Sequence, residues 1–515
     1  MKNKQLITHD GLTRRDFLGS GVALGGLAIG GTLLGGDWSG AVAAGQQCDA
    51  NGCGYPLKDP QQALEYDYPD ILPEFTQDMQ PDLGADELRI TFLGSGFPPA
   101  RRSQEMMSIF VEVGPWVPDS RGGPGRATDS FVFDCGSGVI GNYNAMGISF
   151  GRMDKIFISH LHADHMSDLS AIYCFGPAND RKSPLYVWGQ SASNVWSPAW
   201  GNNPRKQYND GVKAFCKHLR EAMRWHTESF SFLPTRYEGY VKPTRKSWGL
   251  PGNPVPVGDD PHDDGYALVP IELKWKKVGG VAYNNPQTGV KITHYPVIHA
   301  RKGSIGFKLE WNGLSMVYSS DTRPEWTSVQ MAGGVDVFIH EMILPPEVLA
   351  MKNMGLAAPN YASPAFQAGV QMSATIIESS HSPQGSFGYL LSQINPRPRL
   401  TAIAHFPVAN DTVACALNSV KAHFPNGDYP RLGRDIIWAS DVMVLKVKKG
   451  GPIEQYRGRV SDLADGAPQN MPANLKRPKY HKADGEMDPT AQLDLRTLIP
   501  QTNADGTVNY CDNGY

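Results

Sequence analysis

Residues 155–165 of the 515-residue chain have the sequence KIFISHLHADH, an apolar run followed at once by three histidines and an aspartate. An apolar run of this length predicts a short buried β-strand. Because side chains two positions apart on an extended chain point the same way, His160 and His162 can hold one cation, and Asp164 and His165, past the turn, can hold a second. Neutral imidazoles and a carboxylate are good ligands for zinc. The stretch therefore predicts a metal site at the end of a strand.

Four later positions repeat the arrangement of a polar side chain placed directly after an apolar run. They are His299, Asp321, His340-Glu341 and His405. Any one of them alone would be read as a structural residue with satisfied hydrogen bonds. Catalytic residues concentrate on loops that follow a rigid scaffold, so four such positions behind the first cluster indicate one shared site.

These motifs resemble the metallo-β-lactamase superfamily, and most closely the branch that contains tRNase Z, related phosphodiesterases and a group of bacterial arylsulfatases. The resemblance covers about residues 88–174 and 290–445. It rests on LGSGFP at 93–98, FDCGSG at 133–138, ISHLHADH at 158–165, YSSDTRP at 318–324, and the histidine motifs at His340, His381 and His405. It implies an α/β fold of four layers, αββα, in which two mixed sheets pack face to face between helices.

The resemblance also implies two divalent metal ions, preferably zinc, and it assigns their ligands. The first ion takes His160, His162 and His299, the second takes Asp164, His165 and His405, and Asp321 bridges the two. A hydroxide held between two such ions is a nucleophile at neutral pH. The ions also neutralise charge on an attacked phosphoryl or sulfuryl oxygen.

The catalytic residues that the resemblance implies are four. Asp164 is expected to orient or deprotonate the attacking water, and His381 paired with Glu341 to protonate the leaving oxygen, with His340 nearby. An alternative stays open for His340 and His381, which could instead only orient metal ligands.

Two departures from the branch bear on the substrate. Ser320 stands where a glycine usually precedes the bridging aspartate, and Asp321 follows His299 by only 22 positions, which leaves no room for the basic arm of tRNA-processing enzymes. Since the formal net charge is −3, nucleic acid is disfavoured as a partner. The expected activity is hydrolysis of a phosphodiester or sulfate ester of a small molecule. The alternatives are a lactonase or β-lactamase acting at a carbonyl, and a metal-binding protein of low turnover whose insertion binds a partner.

The N-terminal segment predicts export. Arg14-Arg15 precede a glycine-rich apolar run and then small residues, so residues 1–44 resemble a cleaved twin-arginine signal, which predicts a periplasmic or secreted protein, the twin-arginine export machinery as a partner, and no stable membrane span in the mature chain. Residues 45–86 are expected to form an extended lead-in, 87–449 the catalytic domain with a large insertion at about 175–290, and 450–515 an extended C-terminal tail. The pairing of Cys48, Cys53 and Cys511 and the oligomeric state stay open.

Overall fold

The computed structural model describes residues 72–99, 101–119, 125–197, 204–231, 265–424 and 429–460, and six residues between 501 and 509. The expected signal, the first part of the lead-in, most of the tail, and Cys48, Cys53 and Cys511 lie outside the described residues. Among the residues that are described, no helix has both the length and the apolar character needed to cross a membrane.

The first sheet contains nine strands within the described part of the chain. In spatial order these are β1 (Glu74–Phe75), β16 (Glu454–Gly458), β15 (Met443–Lys448), β2 (Glu87–Gly94), β3 (Ser108–Val117), β4 (Arg126–Phe133), β5 (Lys155–Phe157), β6 (Leu185–Gln190) and β7 (Leu268–Leu273). Strands β4 to β7 are parallel. Their carboxyl ends therefore meet at one edge of the sheet, where open α/β sheets place their ligands.

The second sheet contains seven strands in the same described ranges. In spatial order these are β14 (Ile436–Trp438), β13 (Leu400–Ala404), β12 (Val337–Glu341), β11 (Leu314–Tyr318), β10 (Ile305–Trp311), β9 (Val290–Pro296) and β8 (Gly280–Asn285). Strands β11 to β14 are parallel, so their carboxyl ends also share one edge. Strands β10 and β11 are joined by Asn312-Gly313, with φ values of 49° and 77°. Positive φ at both positions is what a tight two-residue hairpin turn requires.

Helices cover the outer face of each sheet. They are α1 (Val139–Ala145), α2 (Ala163–Met166), α3 (Leu169–Phe175), α4 (Val212–Ala222), α5 (Arg224–Ser231), α6 (Trp326–Ala332), α7 (Pro346–Met354), α8 (Pro364–Ser380), α9 (Gln384–Gln393) and α10 (Asn410–Lys421). Helices α1, α3 and α4 bury apolar side chains against the first sheet, and α6, α8, α9 and α10 against the second. The inner faces share one core, in which Phe133 packs 5.6 Å from Phe307 across the sheets. The predicted αββα fold is confirmed.

The stretch 175–290, expected as an insertion, contributes strands β6, β7 and β8 to the two sheets. Pro270 weakens the strand pattern of β7, but β7 is the outermost strand of its sheet, where a missing backbone donor is tolerated. Helices α4 and α5 also lie in this stretch. In the expected tail, β16 pairs with β15 and β1.

Candidate metal centre

The seven expected metal ligands come together at the edge where the parallel strands of both sheets end. The stretch 160–165 follows β5, and His299, Asp321 and His405 follow β9, β11 and β13. Their candidate ligand atoms fall into two groups, within each of which all atoms lie within 4.8 Å of one another. One group is His160, His162 and His299, and the other is Asp164, His165, Asp321 and His405.

The first group consists of three imidazoles from both halves of the fold. The His162 Nδ1 and His299 Nε2 atoms lie 3.0 Å apart. The ring of His160 lies 4.6 Å from that of His162 and 4.8 Å from that of His299, between ring centroids. His162 is exposed, whereas His160 and His299 are buried, so this side of the centre opens to solvent. Three nitrogens around one point match a zinc site that keeps a position open for water or substrate.

The second group adds two carboxylates, and Asp321 lies between the groups. The Asp321 Oδ2 atom is 3.3 Å from His405 Nε2 and 3.7 Å from His299 Nε2, and its Oδ1 atom is 3.3 Å from His165 Nε2. Asp164 Oδ2 accepts a hydrogen bond from His405 Nε2 at 3.2 Å. Asp321 thus reaches imidazoles of both groups with one carboxylate, the geometry expected of a bridging ligand.

Three residues at this edge have a left-handed backbone although none is glycine. Asp134, Ser320 and His405 have φ values of 58°, 56° and 54°. This conformation is strained for residues with a side chain and is common at functional sites. It explains why glycine is usual at the position of Ser320. Here the serine hydroxyl donates to Ser159 Oγ at 2.6 Å, a bond that glycine could not make.

Neighbouring groups fix the orientation of the histidines. His165 Nδ1 donates to Asp134 Oδ2 at 2.8 Å, and the same carboxylate oxygen accepts from the Tyr318 hydroxyl at 2.7 Å. His299 Nδ1 donates to the backbone carbonyl of Ser380 at 2.7 Å. In both rings Nδ1 carries the proton, so Nε2 faces the centre with a lone pair that can bind a metal ion. Asp134 lies in the FDCGSG motif, but its contact with His165, 31 positions further along the chain, is not evident from a local pattern.

The donor set fits divalent cations. His160 Nε2, His165 Nε2 and Asp321 Oδ1 are buried and make no hydrogen bond with any part of the chain that the structure describes. Buried polar atoms without a partner cost free energy, and cations at these positions would satisfy them. Burial lowers the pKa of His160, and it lowers that of His299 to about 4, so both rings are neutral and able to bind metal at neutral pH.

A histidine and a glutamate pair beside the second group. His381 Nδ1 donates to Glu341 Oε2 at 2.9 Å and to Oε1 at 3.0 Å. Burial alone favours the neutral imidazole, but the adjacent Glu341 carboxylate raises the pKa of His381 to about 9. The ring of His381 stacks 5.5 Å from that of His405. A protonated imidazole therefore lies next to the metal ligands.

His340, the fourth expected catalytic residue, is placed elsewhere. Its ring packs between Phe338 and Phe387 at 5.2 and 5.0 Å, and its Nδ1 donates to the backbone carbonyl of Glu341. His340 belongs to none of the groups of metal-ligating atoms found in the described ranges. Successive side chains of a strand point to opposite faces, so when Glu341 faces the centre His340 faces the helices.

Comparison with known proteins gives relatives of one kind. The profile of the family "Anti-Pycsar protein Apyc1" matches residues 126–237. A ribonuclease Z of Halorubrum lacusprofundi is 32% identical over 259 residues, which cover 49% of this chain and 74% of the relative. A ribonuclease BN of Proteus mirabilis is 23% identical over 268 residues, covering 49% and 76%. The metallo-β-lactamase fold protein YhfI of Bacillus subtilis, a solved structure, has a TM-score of 0.42 at 12% identity and covers 70% of this chain and 100% of its own.

Proposed function

The chain belongs to the ribonuclease Z family, whose members are hydrolases with the metallo-β-lactamase fold, and from this we propose that it is a dinuclear-metal hydrolase of a phosphodiester or sulfate ester of a small molecule. The observation that supports the proposal is the convergence of His160, His162, Asp164, His165, His299, Asp321 and His405 at one sheet edge. Three of these donors are buried without a partner among the described residues, which an empty structural cluster would not explain.

Two cations at this centre, for which zinc suits the ligands, would supply an activated water and would neutralise charge on the attacked phosphoryl or sulfuryl group. Asp164 is suited to orient that water. Burial favours its neutral acid, but His165 and a hydrogen bond from His405 lower the pKa of Asp164 to about 2. The carboxylate is therefore ionised at neutral pH and can accept a hydrogen bond from the water.

His381 supplies the proton for the leaving group. Its Nδ1 is bound to Glu341, so Nε2 remains to donate to the leaving oxygen. The His381 side chain is 15% exposed, whereas that of Glu341 is 1% exposed, so the histidine contacts substrate and the glutamate holds it in place. Thr322 N also donates to Glu341 Oε1, at 2.6 Å, which fixes the carboxylate.

The His381–Glu341 pair also favours a phosphodiester or sulfate ester over a substrate that is attacked at a carbonyl carbon. A phosphodiester or sulfate ester with an alkyl leaving group needs a proton on the departing oxygen, and His381 with Glu341 is built to provide it. Hydrolysis of a lactone or β-lactam needs this less, because a metal ion can take the developing charge. The low-turnover alternative gives the pair no task at all.

Three chromogenic substrates separate these functions. We expect the metal-loaded protein to hydrolyse bis(p-nitrophenyl) phosphate or p-nitrophenyl sulfate faster than nitrocefin. Turnover of nitrocefin alone would replace the proposal with a carbonyl hydrolase. Two bound ions per chain without turnover of any of the three would support the metal-binding alternative.

Asp321→Ala tests the bridging role. Removing a carboxylate shared by both groups should lower the metal content by at least one ion per chain and the rate by more than about 100-fold. Metal content is measured by atomic emission after gel filtration. Asp180→Ala is the matched control, since Asp180 is exposed, lies outside the candidate centre and accepts a hydrogen bond from Gly151 N. Wild-type metal content in Asp321→Ala would contradict the assignment.

We also propose that the protein acts outside the cytoplasm, after twin-arginine export. The support is Arg14-Arg15 with the apolar and small-residue runs behind them. Replacing both arginines with lysine should leave the full-length chain in the cytoplasmic fraction, as detected by immunoblot. Unchanged recovery outside the cytoplasm would contradict this route.

A further inference from the structure

A small cavity adjoins the first group of histidines. Its volume is about 100 Å³, and one wall consists of His160, His162 and His299. The opposite wall is polar and comes from two segments far apart in sequence. These are the stretch after β6, with Gln190, Ser193 and Asp210, and the loop between β9 and β10, with Arg301 and Lys302.

The two segments are joined by Asp210, whose carboxylate compensates the charge of Arg301. Asp210 Oδ2 accepts from both Arg301 Nε and Arg301 Nη2 at 2.7 Å. The same carboxylate accepts from Ser193 N at 2.7 Å and from Ser193 Oγ at 2.6 Å. Arg301 is therefore held in one position, and its charge is matched by that of Asp210.

Lys302 also lies on this wall, and no carboxylate of the described residues pairs with its positive charge. It is exposed, and no hydrogen bond or ion pair joins its ammonium group to the residues that the structure describes. Gly303 follows with a φ of 118°, a conformation open mainly to glycine, so the chain turns directly after the lysine and returns along the cavity at Ser304. Since Asp210 compensates Arg301, Lys302 leaves this wall with one net positive charge.

Gln190 shows that the wall is prepared for a polar group. The residue is 6% exposed, its amide nitrogen donates to the Asp210 carbonyl at 3.4 Å, and its Oε1 atom accepts no hydrogen bond from the described residues. A buried acceptor without a donor costs free energy until a ligand or a water supplies one. A carboxylate only accepts hydrogen bonds, so it would reach this oxygen through a water that donates to both groups.

We propose that this cavity binds a short, negatively charged arm of the substrate, and that Lys302 selects it. The inference rests on the proposed function and narrows its substrate class to esters that carry a second anionic group, such as a carboxylate. The substrate is then a phosphodiester, and the arm is the one that stays on the phosphorus, since His381, which faces the leaving oxygen, does not line the cavity. Lys302 favours a negative charge on the arm, and the cavity volume of about 100 Å³ favours a short arm.

Three p-nitrophenyl phosphodiesters with the same leaving group test the arm. They carry a propyl, a 2-carboxyethyl or a choline substituent, which are neutral, anionic and cationic. We expect the highest kcat/KM for the carboxyethyl ester and the lowest for the choline ester. Lys302→Ala should lower kcat/KM for the carboxyethyl ester roughly tenfold, the effect of one charge-assisted hydrogen bond, and should lower kcat/KM for the propyl ester much less. Lys302→Arg should keep most of the preference.

Calorimetry separates this inference from the proposed function. The products 2-carboxyethyl phosphate and propyl phosphate are titrated into metal-loaded protein, which requires no turnover. Tighter binding of the carboxyethyl compound that Lys302→Ala abolishes supports the anionic arm, even if every phosphodiester is inert and the proposed function fails. Lys291→Ala, at an exposed lysine on β9, is the control. Equal affinity for the two products, or a preference that survives Lys302→Ala, overturns the inference.

Discussion

In His165, His299 and His381, Nδ1 is hydrogen-bonded to a neighbouring group. The chemistry of that group determines whether Nε2 is suited to bind a metal ion or to donate a proton. Asp134 holds Nδ1 of His165, and the Ser380 carbonyl holds Nδ1 of His299. Glu341 holds Nδ1 of His381, and although burial favours the neutral ring, this carboxylate raises the pKa of His381 to about 9. Under the proposed function the same side chain would serve as a metal ligand in two places and as an acid in the third.

His381→Ala should separate these roles by leaving group. If His381 protonates the departing oxygen, its loss should slow esters of poor leaving groups, such as alkyl alcohols, about 100-fold, and esters of p-nitrophenol much less. The measurement is kcat/KM for matched aryl and alkyl phosphodiesters. Metal content is measured alongside, because it should not change.

Two further variants help to interpret that experiment. Glu341→Gln should show the same leaving-group pattern in weaker form, since it leaves the imidazole but removes the charge that favours its protonation. Equal losses for aryl and alkyl esters together with lost metal would instead assign His381 to the orientation of the ligands. His340→Asn should change stability more than the leaving-group pattern, because His340 is buried against Phe338 and Phe387.

At this scale the sequence indicated the candidate ligands but not the residues that hold them in place. His160, Asp321 and His405 were found because each follows an apolar run, a purely local pattern. Asp134 and Arg301 act through partners distant in the chain, which no local pattern indicates. His340 and Glu341 could not be told apart, because all five residues of β12 are buried and alternation then gives no sign of which face is which.

Among the elements, the β10–β11 hairpin depends on its two-residue turn. Gly313 has a φ of 77°, so Gly313→Ala should lower the free energy of unfolding by about 1 kcal/mol. Gly141 lies in α1, where an added Cβ meets nothing within 4 Å. Gly141→Ala should therefore raise the free energy of unfolding by about 0.5 kcal/mol. Urea unfolding measures both, and a loss of stability in both variants would show that the turn is not special.

The elements that the sequence revealed are those with uninterrupted apolar runs. Strands β2 to β5 and β10 to β15 have them, so a local pattern marks each of these strands in the sequence. Strand β7 contains Pro270, and β8 alternates irregularly because a bulge lies between Val281 and Tyr283. Helices α7 to α9 were missed, since their polar and apolar residues follow no clear helical stripe. Tertiary packing, and not local preference, fixes these elements.

For the whole molecule, the metal centre acts as a link between two sheets. Its first cluster of ligands follows β5 of the first sheet, and His299, Asp321 and His405 follow strands of the second. Hydrogen bonds also join the two halves at this edge, such as those from the Tyr318 hydroxyl to Asp134 and from the Ser320 hydroxyl to Ser159. Bound cations should therefore stabilise the packing of one half against the other.

Chelation tests that link. An ion present at about a thousand times its Kd stabilises a protein by about 4 kcal/mol, so EDTA should lower Tm by several degrees. Adding back excess zinc should restore Tm, as measured by calorimetry. Asp321→Ala should start lower and respond less to EDTA. A wild-type Tm that EDTA leaves unchanged would mean that the halves hold together without the ions.

The left-handed backbone at Asp134, Ser320 and His405 bears on the order in which the chain folds and its candidate ligands reach their positions. A short segment on its own would relax out of these conformations, and only the completed strands around them keep them in place. Donor atoms from β5, β9, β11 and β13 therefore take up their positions late, after both halves have assembled. A cation that binds there would then come from the compartment in which the chain completes its folding.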